Sequence, residues 1–227
     1  MAIDKEIKKK INRDWQDAFP QLSIYSQNKL YKIIGPLIIG LELIKSPFTD
    51  SYSPYFMMYS LWKSDIKTNL DYPIILKYFK NKKGFQFEIP YEQDSIYFDE
   101  VLESVHKQLP ISFDEGISLD KVVSVLDEYS KTPPLSAAPN SYLQAVVYEA
   151  KLKISLYLSS DHANTILQEI EQKDWDINHF KACGVVVSNW ILDLYECIAN
   201  REDFLRQIEI NKQDKKISKL YSSELIL

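Results

Sequence analysis

The sequence predicts an α+β fold, with an N-terminal helix and a small antiparallel sheet followed by a C-terminal helical array. Three patterns predict it. Ile3, Ile7, Ile11 and Trp15 recur every four residues near the start, the spacing of an amphipathic helix. Between about residues 30 and 91 the apolar residues become β-branched or alternate with polar ones, as in strands. Beyond Tyr91 the apolar spacing returns to three and four. This change of period sets an α+β part over residues 1–92 and a helical part over 93–227, joined as one continuous globule.

The first helix carries lysines and acids between its apolar residues and ends at Pro20, with Lys8, Lys9 and Lys10 on a solvated face. The run from Ile33 to Ile44 contains Gly35, Pro36 and Gly40, which fit an irregular or edge strand better than a helix. Ser46-Pro47 and Thr49-Asp50-Ser51 mark a turn, so the segment from Tyr55 to Trp62 is expected to pair back on that run. A second hairpin is expected between Ile74 and Tyr91. There Phe85, Phe87, Ile89 and Tyr91 alternate with polar residues or proline, and Asn81-Lys82-Lys83-Gly84 supplies a turn whose glycine takes a positive φ. Residues 73–79 suit a strand and a single helical turn almost equally.

Ser95 is expected to cap a helix through Phe98, Val101, Leu102 and Val105 that stops before Pro110. Ser118 is expected to cap the next, with Val122, Val125, Leu126 and Tyr129 on one face. The stretch from Thr132 to Pro139 is a proline-rich connector. Four helices are expected after it: from Ser141 to Leu158, from a cap at Asp161 through Ile170, from Asn178 to Ala199, and from Asn200 through Ile208. The tail after Lys212 lacks a period and is expected to be mobile.

Charge is partitioned along the chain. Residues 88–128 hold eleven carboxylates against two lysines, whereas residues 1–87 hold fourteen Lys/Arg against eight acids. A concentrated acidic stretch steers cationic partners. The overall net charge of −5 does not suit a dedicated nucleic-acid binder, which needs a strongly basic surface. No apolar run is long and unbroken enough for a membrane span, and the charged N-terminus lacks a signal-peptide core, so cytoplasmic residence is expected. Cys183 and Cys197 fall in one expected helix, about 21 Å apart, which forbids a disulfide and leaves two buried free thiols.

Candidate chemistry is sparse. Only His106, His162 and His179 are present. The spacing Asp176-x-x-His179-x-x-x-Cys183 puts three ligand types on one helical face, but a helix start leading into a thiol explains the same residues, and no metal or cofactor is expected. Cys183 lies in an apolar setting and Cys197 beside Glu196, both unfavourable for a thiolate nucleophile. Phosphate-cradling loops, a serine nucleophile elbow and an EF-hand are missing from the sequence. Lys80, Lys82 and Lys83 read as a hairpin turn with lysines. Trp190 is expected in the core. Trp175, flanked by Asp174 and Asp176, is expected near the surface, where an aromatic among carboxylates suits a hot spot.

These readings favour a non-catalytic cytoplasmic protein that binds another, basic protein. The expected contact residues are Glu92, Asp94, Asp99, Glu100, Glu103, Asp114, Glu115 and Trp175. An inhibitor, or an immunity-type antidote of a basic toxin, would work in this way. A hydrolase with a carboxylate or metal site and a structural or scaffold subunit are the alternatives.

Overall fold

The structure, a computed structural model, describes residues 5–114 and 116–227. Helix α1 (Lys5–Ala18) buries Ile11 and Trp15. The Trp15 indole N–H donates to the Tyr52 hydroxyl at 3.2 Å, which anchors the helix to the sheet. Strands β1 (Ser23–Ser26), β2 (Lys29–Ile34), β3 (Leu37–Lys45), β4 (Ser51–Ser60) and β5 (Ile75–Tyr78) follow one another as antiparallel neighbours. A short helix α2 (Ile66–Asp71), capped by the Asp65 carboxylate on the Thr68 N–H, lies between β4 and β5. Strand β6 (Ile89–Pro90) pairs with the start of β4.

Helices α3 (Asp94–Gln108) and α4 (Leu119–Ser130) come next, with β7 (Ile117–Ser118) leading into α4. The helical part continues as α5 (Tyr142–Leu158), α6 (Ser160–Glu171), α7 (Ile177–Ala182), α8 (Val187–Ala199) and α9 (Arg201–Lys212). The tail then returns to the sheet. Strand β8 (Tyr221–Ser223) pairs parallel with β2, and β9 (Leu225–Ile226) pairs parallel with β7.

The sheet is covered on both faces. Leu30, Ile34, Leu37, Ile39, Leu41, Phe56 and Met58 pack with residues of α1, α3 and α4. Tyr31, Ile33, Ile38, Met57 and Tyr59 pack with residues of α6 to α9. Helix α5 contributes Val147, Ala150 and Ile154 to the first cluster and Ala145, Leu152 and Leu156 to the second.

Burial on both faces explains the first difference from the sequence reading. The run from Ile33 to Ile44 is not one irregular or edge strand but parts of two strands, with Gly35-Pro36 as the turn between them and β3 in the sheet interior. A strand covered on both sides shows no alternation, so its apolar run conceals the hairpin. Gly35 takes φ +53°, and a Cβ there would stand 2.7 Å from the Leu225 Cβ, so the turn also needs glycine to admit the tail.

The second expected hairpin forms only at its tip. Gly84 takes φ +83° as expected, and Lys80 bridges to Gln86. Ile89 and Pro90 pair with β4 instead of β5, and residues 75–78 form the strand. Ser118 and Ser141 cap α4 and α5 through their side chains. The other expected caps shift. Ser95 lies inside α3, and α6 is capped by Ser159 because its hydroxyl accepts from the Asp161 N–H. The expected helix from Asn178 to Ala199 is broken at Cys183-Gly184, where Gly184 takes φ +74° and ends α7. That break exposes Cys183, while Cys197 is half-buried, and both thiols are free. The tail is tied down rather than loose, with Leu220 and Leu225 buried. Ile3 lies outside the described residues.

Candidate functional site

The outward side of α3 gathers four of the eight expected contact residues. A 3₁₀ turn over Tyr91–Gln93 delivers the chain to the helix start. Val101 and Val105 face the core, and Phe98 meets the Trp15 ring edge-on at 5.7 Å. Helical spacing then turns Ile96, Asp99, Glu100 and Glu103 away from the sheet, with Glu92 just before the first turn. Ile96, 73% exposed, is among the most exposed large apolar residues of the described chain, and its neighbour Tyr97 is 41% exposed. Sequence reasoning missed both, although their signal was present: neither falls on the Phe98, Val101, Leu102, Val105 stripe.

The carboxylates around Ile96 differ in how free they are. Glu92 and Asp99 are exposed and make no ion pair or hydrogen bond among the described residues. Glu100 lies 3.6 Å from the Lys82 ammonium. Glu103 pairs with Lys107 at 2.5 Å, and the hydrogen bond from Lys107 holds its carboxyl below the ordinary range. Lys82 belongs to the 81–84 turn, so the basic hairpin tip covers one end of the acidic face instead of presenting a separate surface. Asp127 and Glu128, further along the acidic stretch, pair with Lys151 and Lys131.

The remaining expected residues lie elsewhere. Asp94 is only 4% exposed, so it is not part of the outward face. Its Oδ1 accepts a hydrogen bond from the Tyr52 hydroxyl, and its Oδ2 has no hydrogen-bond partner among the described residues. Asp94, Phe98, Val101 and Val105 are spaced four, three and four apart, which puts the acid on the buried stripe. Asp114 is exposed beyond the C-terminal end of α3, and its carboxylate accepts from the Ser112 hydroxyl and the Gln21 amide, each at 2.6 Å. Glu115 lies outside the described residues.

Trp175 is a core residue, 6% exposed, and the expectation of a surface position is corrected. Its indole N–H donates to the Ile170 carbonyl at 2.8 Å, and its ring packs edge-on against Tyr148, Phe180 and Trp190. The chain doubling back after α6 turns the ring inward while Asp174 and Asp176 stay exposed. Trp190 is buried as expected, its indole N–H on the Glu149 carboxylate at 2.9 Å.

Two further polar groups bear on chemistry. The Cys183 Sγ lies 3.8 Å from the His179 Nδ1, but Asp176 accepts from the His179 backbone N–H as the cap of α7, and the His179 Nδ1 accepts from the Tyr142 N–H. Among the described residues no group of three or more His, Cys, Asp or Glu is disposed to hold a metal. Glu42, an acid inside the β3 apolar run, accepts from the hydroxyls of Tyr31 and Tyr59 and from the Lys29 ammonium. Burial, reinforced by Glu42, raises both tyrosine hydroxyls far above their ordinary range, so they stay protonated as donors. That arrangement closes a polar network in the sheet.

Compared with known proteins, the chain matches no protein-family model, no curated protein and no solved structure. Among the described residues no helix is long and apolar enough to cross a membrane.

Proposed function

We propose that this protein acts by binding a basic protein surface through the outward face of α3, without catalysis of its own. The observation that carries the reading is Ile96, 73% exposed in the midst of Glu92, Asp99, Glu100 and Glu103. Carboxylates of one sign attract a cationic partner from a distance and set its orientation. Close contact then depends on apolar area removed from water, which Ile96 and Tyr97 supply. Glu92 and Asp99, unpaired among the described residues, are acids able to form new ion pairs without breaking old ones. An inhibitor or immunity-type antidote would use such a face to cover a positively charged substrate site. That role, and residence in the cytoplasm, belong to the proposal.

The test is comparative capture from extract of the native source. Wild-type protein, an α3 variant (Ile96→Ala with Asp99→Lys) and a control with the same charge change on α9 (Glu202→Lys) are immobilised side by side. A basic protein retained by wild type and by the control but lost from the α3 variant supports the reading. A partner held equally by all three overturns it.

A further inference from the structure

The α3 face has a complement on the same molecule. Helix α1 and the β1–β2 turn bound a groove of about 470 Å³ lined by Lys5, Lys8, Lys9, Asn12, Ile24 and Gln27. Its three ammonium groups make no ion pair among the described residues, whereas the acids of α3 that are neutralised internally use Lys82 and Lys107. Ile24, 55% exposed, gives the groove an apolar wall. So the groove offers cations around an aliphatic side chain, and α3 offers anions around one.

The two features lie on opposite flanks of α1, since Lys5, Lys8, Lys9 and Asn12 line the groove and the other flank meets the start of α3. Ile7, Lys10 and Ile11 of α1 and Tyr91, Glu92, Asp94 and Ser95 at the start of α3 line one shared cavity of about 130 Å³. Both helices pack on the same face of the sheet. A basic and an acidic feature on the two flanks of one surface helix are self-complementary under two-fold rotation. The rotation lays the groove of one copy on α3 of the other, and the reverse contact forms at the same time.

We infer that the chain associates with a second copy of itself through this face, α1 groove against α3 in both directions. This rests on the reading of α3 as a docking surface and adds a regulator to it, because the self-pair covers the acids that the basic partner needs. Each half-contact brings lysines that make no ion pair among the described residues to the α3 carboxylates, of which Glu92 and Asp99 are also unpaired among the described residues, and pairs Ile96 with Ile24. The association is salt-sensitive, as expected of exposed ion pairs.

Sedimentation of the full chain over a concentration series, at low and at high salt, tests this. Wild type should show a monomer–dimer equilibrium at low salt that shifts to monomer at high salt. Lys8→Glu with Lys9→Glu should be monomeric, and so should Asp99→Lys with Glu103→Lys. An equimolar mixture of the two variants should restore the dimer, since both half-contacts are then again of opposite charge. Circular dichroism melts of each variant check that these surface changes leave the fold intact. A wild type that stays monomeric at low salt, a dimer that survives either reversal, or a mixture that stays monomeric overturns the inference. None of these results touches the capture experiment. The Lys8→Glu, Lys9→Glu variant should hold the basic partner at least as well as wild type, whereas loss of that reading appears only as unchanged capture by the α3 variant.

Discussion

Asp94 is the residue at which the acidic stretch turns inward. Burial holds its carboxyl above the ordinary range, against the hydrogen bond from Tyr52 and the charge of Lys10, while Asp14 adds to the rise. A carboxyl whose folded pKa exceeds its unfolded value binds its proton more tightly when folded, so it removes stability as pH rises through that interval. Asp94→Asn has no such titration. Relative to wild type its stability should therefore rise as pH rises from the ordinary carboxyl range to the higher folded pKa, and level off above it, measured by urea unfolding. A difference that does not change with pH would contradict the burial. Asp127 is a paired acid. Its carboxylate is 2.6 Å from the ammonium of Lys151, a side chain only 6% exposed that also lies over the Tyr148 ring. Asp127→Ala strands that ammonium and should cost about 3 kcal/mol, whereas Lys151→Met, which fills the same channel, should cost less. Equal costs in thermal unfolding would count against this account. Composition alone could not separate Asp94 and Asp127 from Asp99. Helical phase could: Asp94 shares the stripe of Phe98, Val101 and Val105, and only its polarity argued for the surface.

Elements were legible where one physical signal dominated. The four-residue spacing of α1 and the serine cap of α4 read directly from the chain, since a hydroxyl before an apolar period has few other uses. The β2–β3 hairpin did not, because helices on both faces of the sheet remove alternation. The α7–α8 break depended on Gly184, whose positive φ has no counterpart in hydrophobic periodicity. The tail was the least legible. Its pairing with β2 and β7 is non-local, and a three-residue and a two-residue strand carry almost no pattern. Leu225 is the residue that secures it, buried against Gly35 and paired in register with Ile117. Leu225→Ala should cost about 2–4 kcal/mol and speed amide exchange in residues 221–226 and 117–118 together. Normal stability with exchange confined to the last residues would show that the tail does not brace the sheet.

At the scale of the whole molecule, the charge partition seen in the sequence survives folding only in part. Glu100, Glu103, Asp127 and Glu128 are matched by lysines of the chain, Asp94 is buried, and Asp114 is held by Gln21 and Ser112. Among the described residues, what stays outward and unmatched around Ile96 is Glu92 and Asp99. The proposed acidic docking surface is therefore narrower than eleven carboxylates suggest, and it has an apolar centre that charge counting could not reveal. The sequence marks the acidic segment, and the structure shows which of its acids stay outward and which are buried or matched. The most direct measurement is the association rate of the captured basic partner, at low and at near-physiological ionic strength, with wild type and with Glu92→Gln, Asp99→Asn. Docking at α3 predicts a rate for the variant lower by about tenfold at low salt, with a flatter dependence on ionic strength. The same rate and the same salt dependence for both proteins would contradict it.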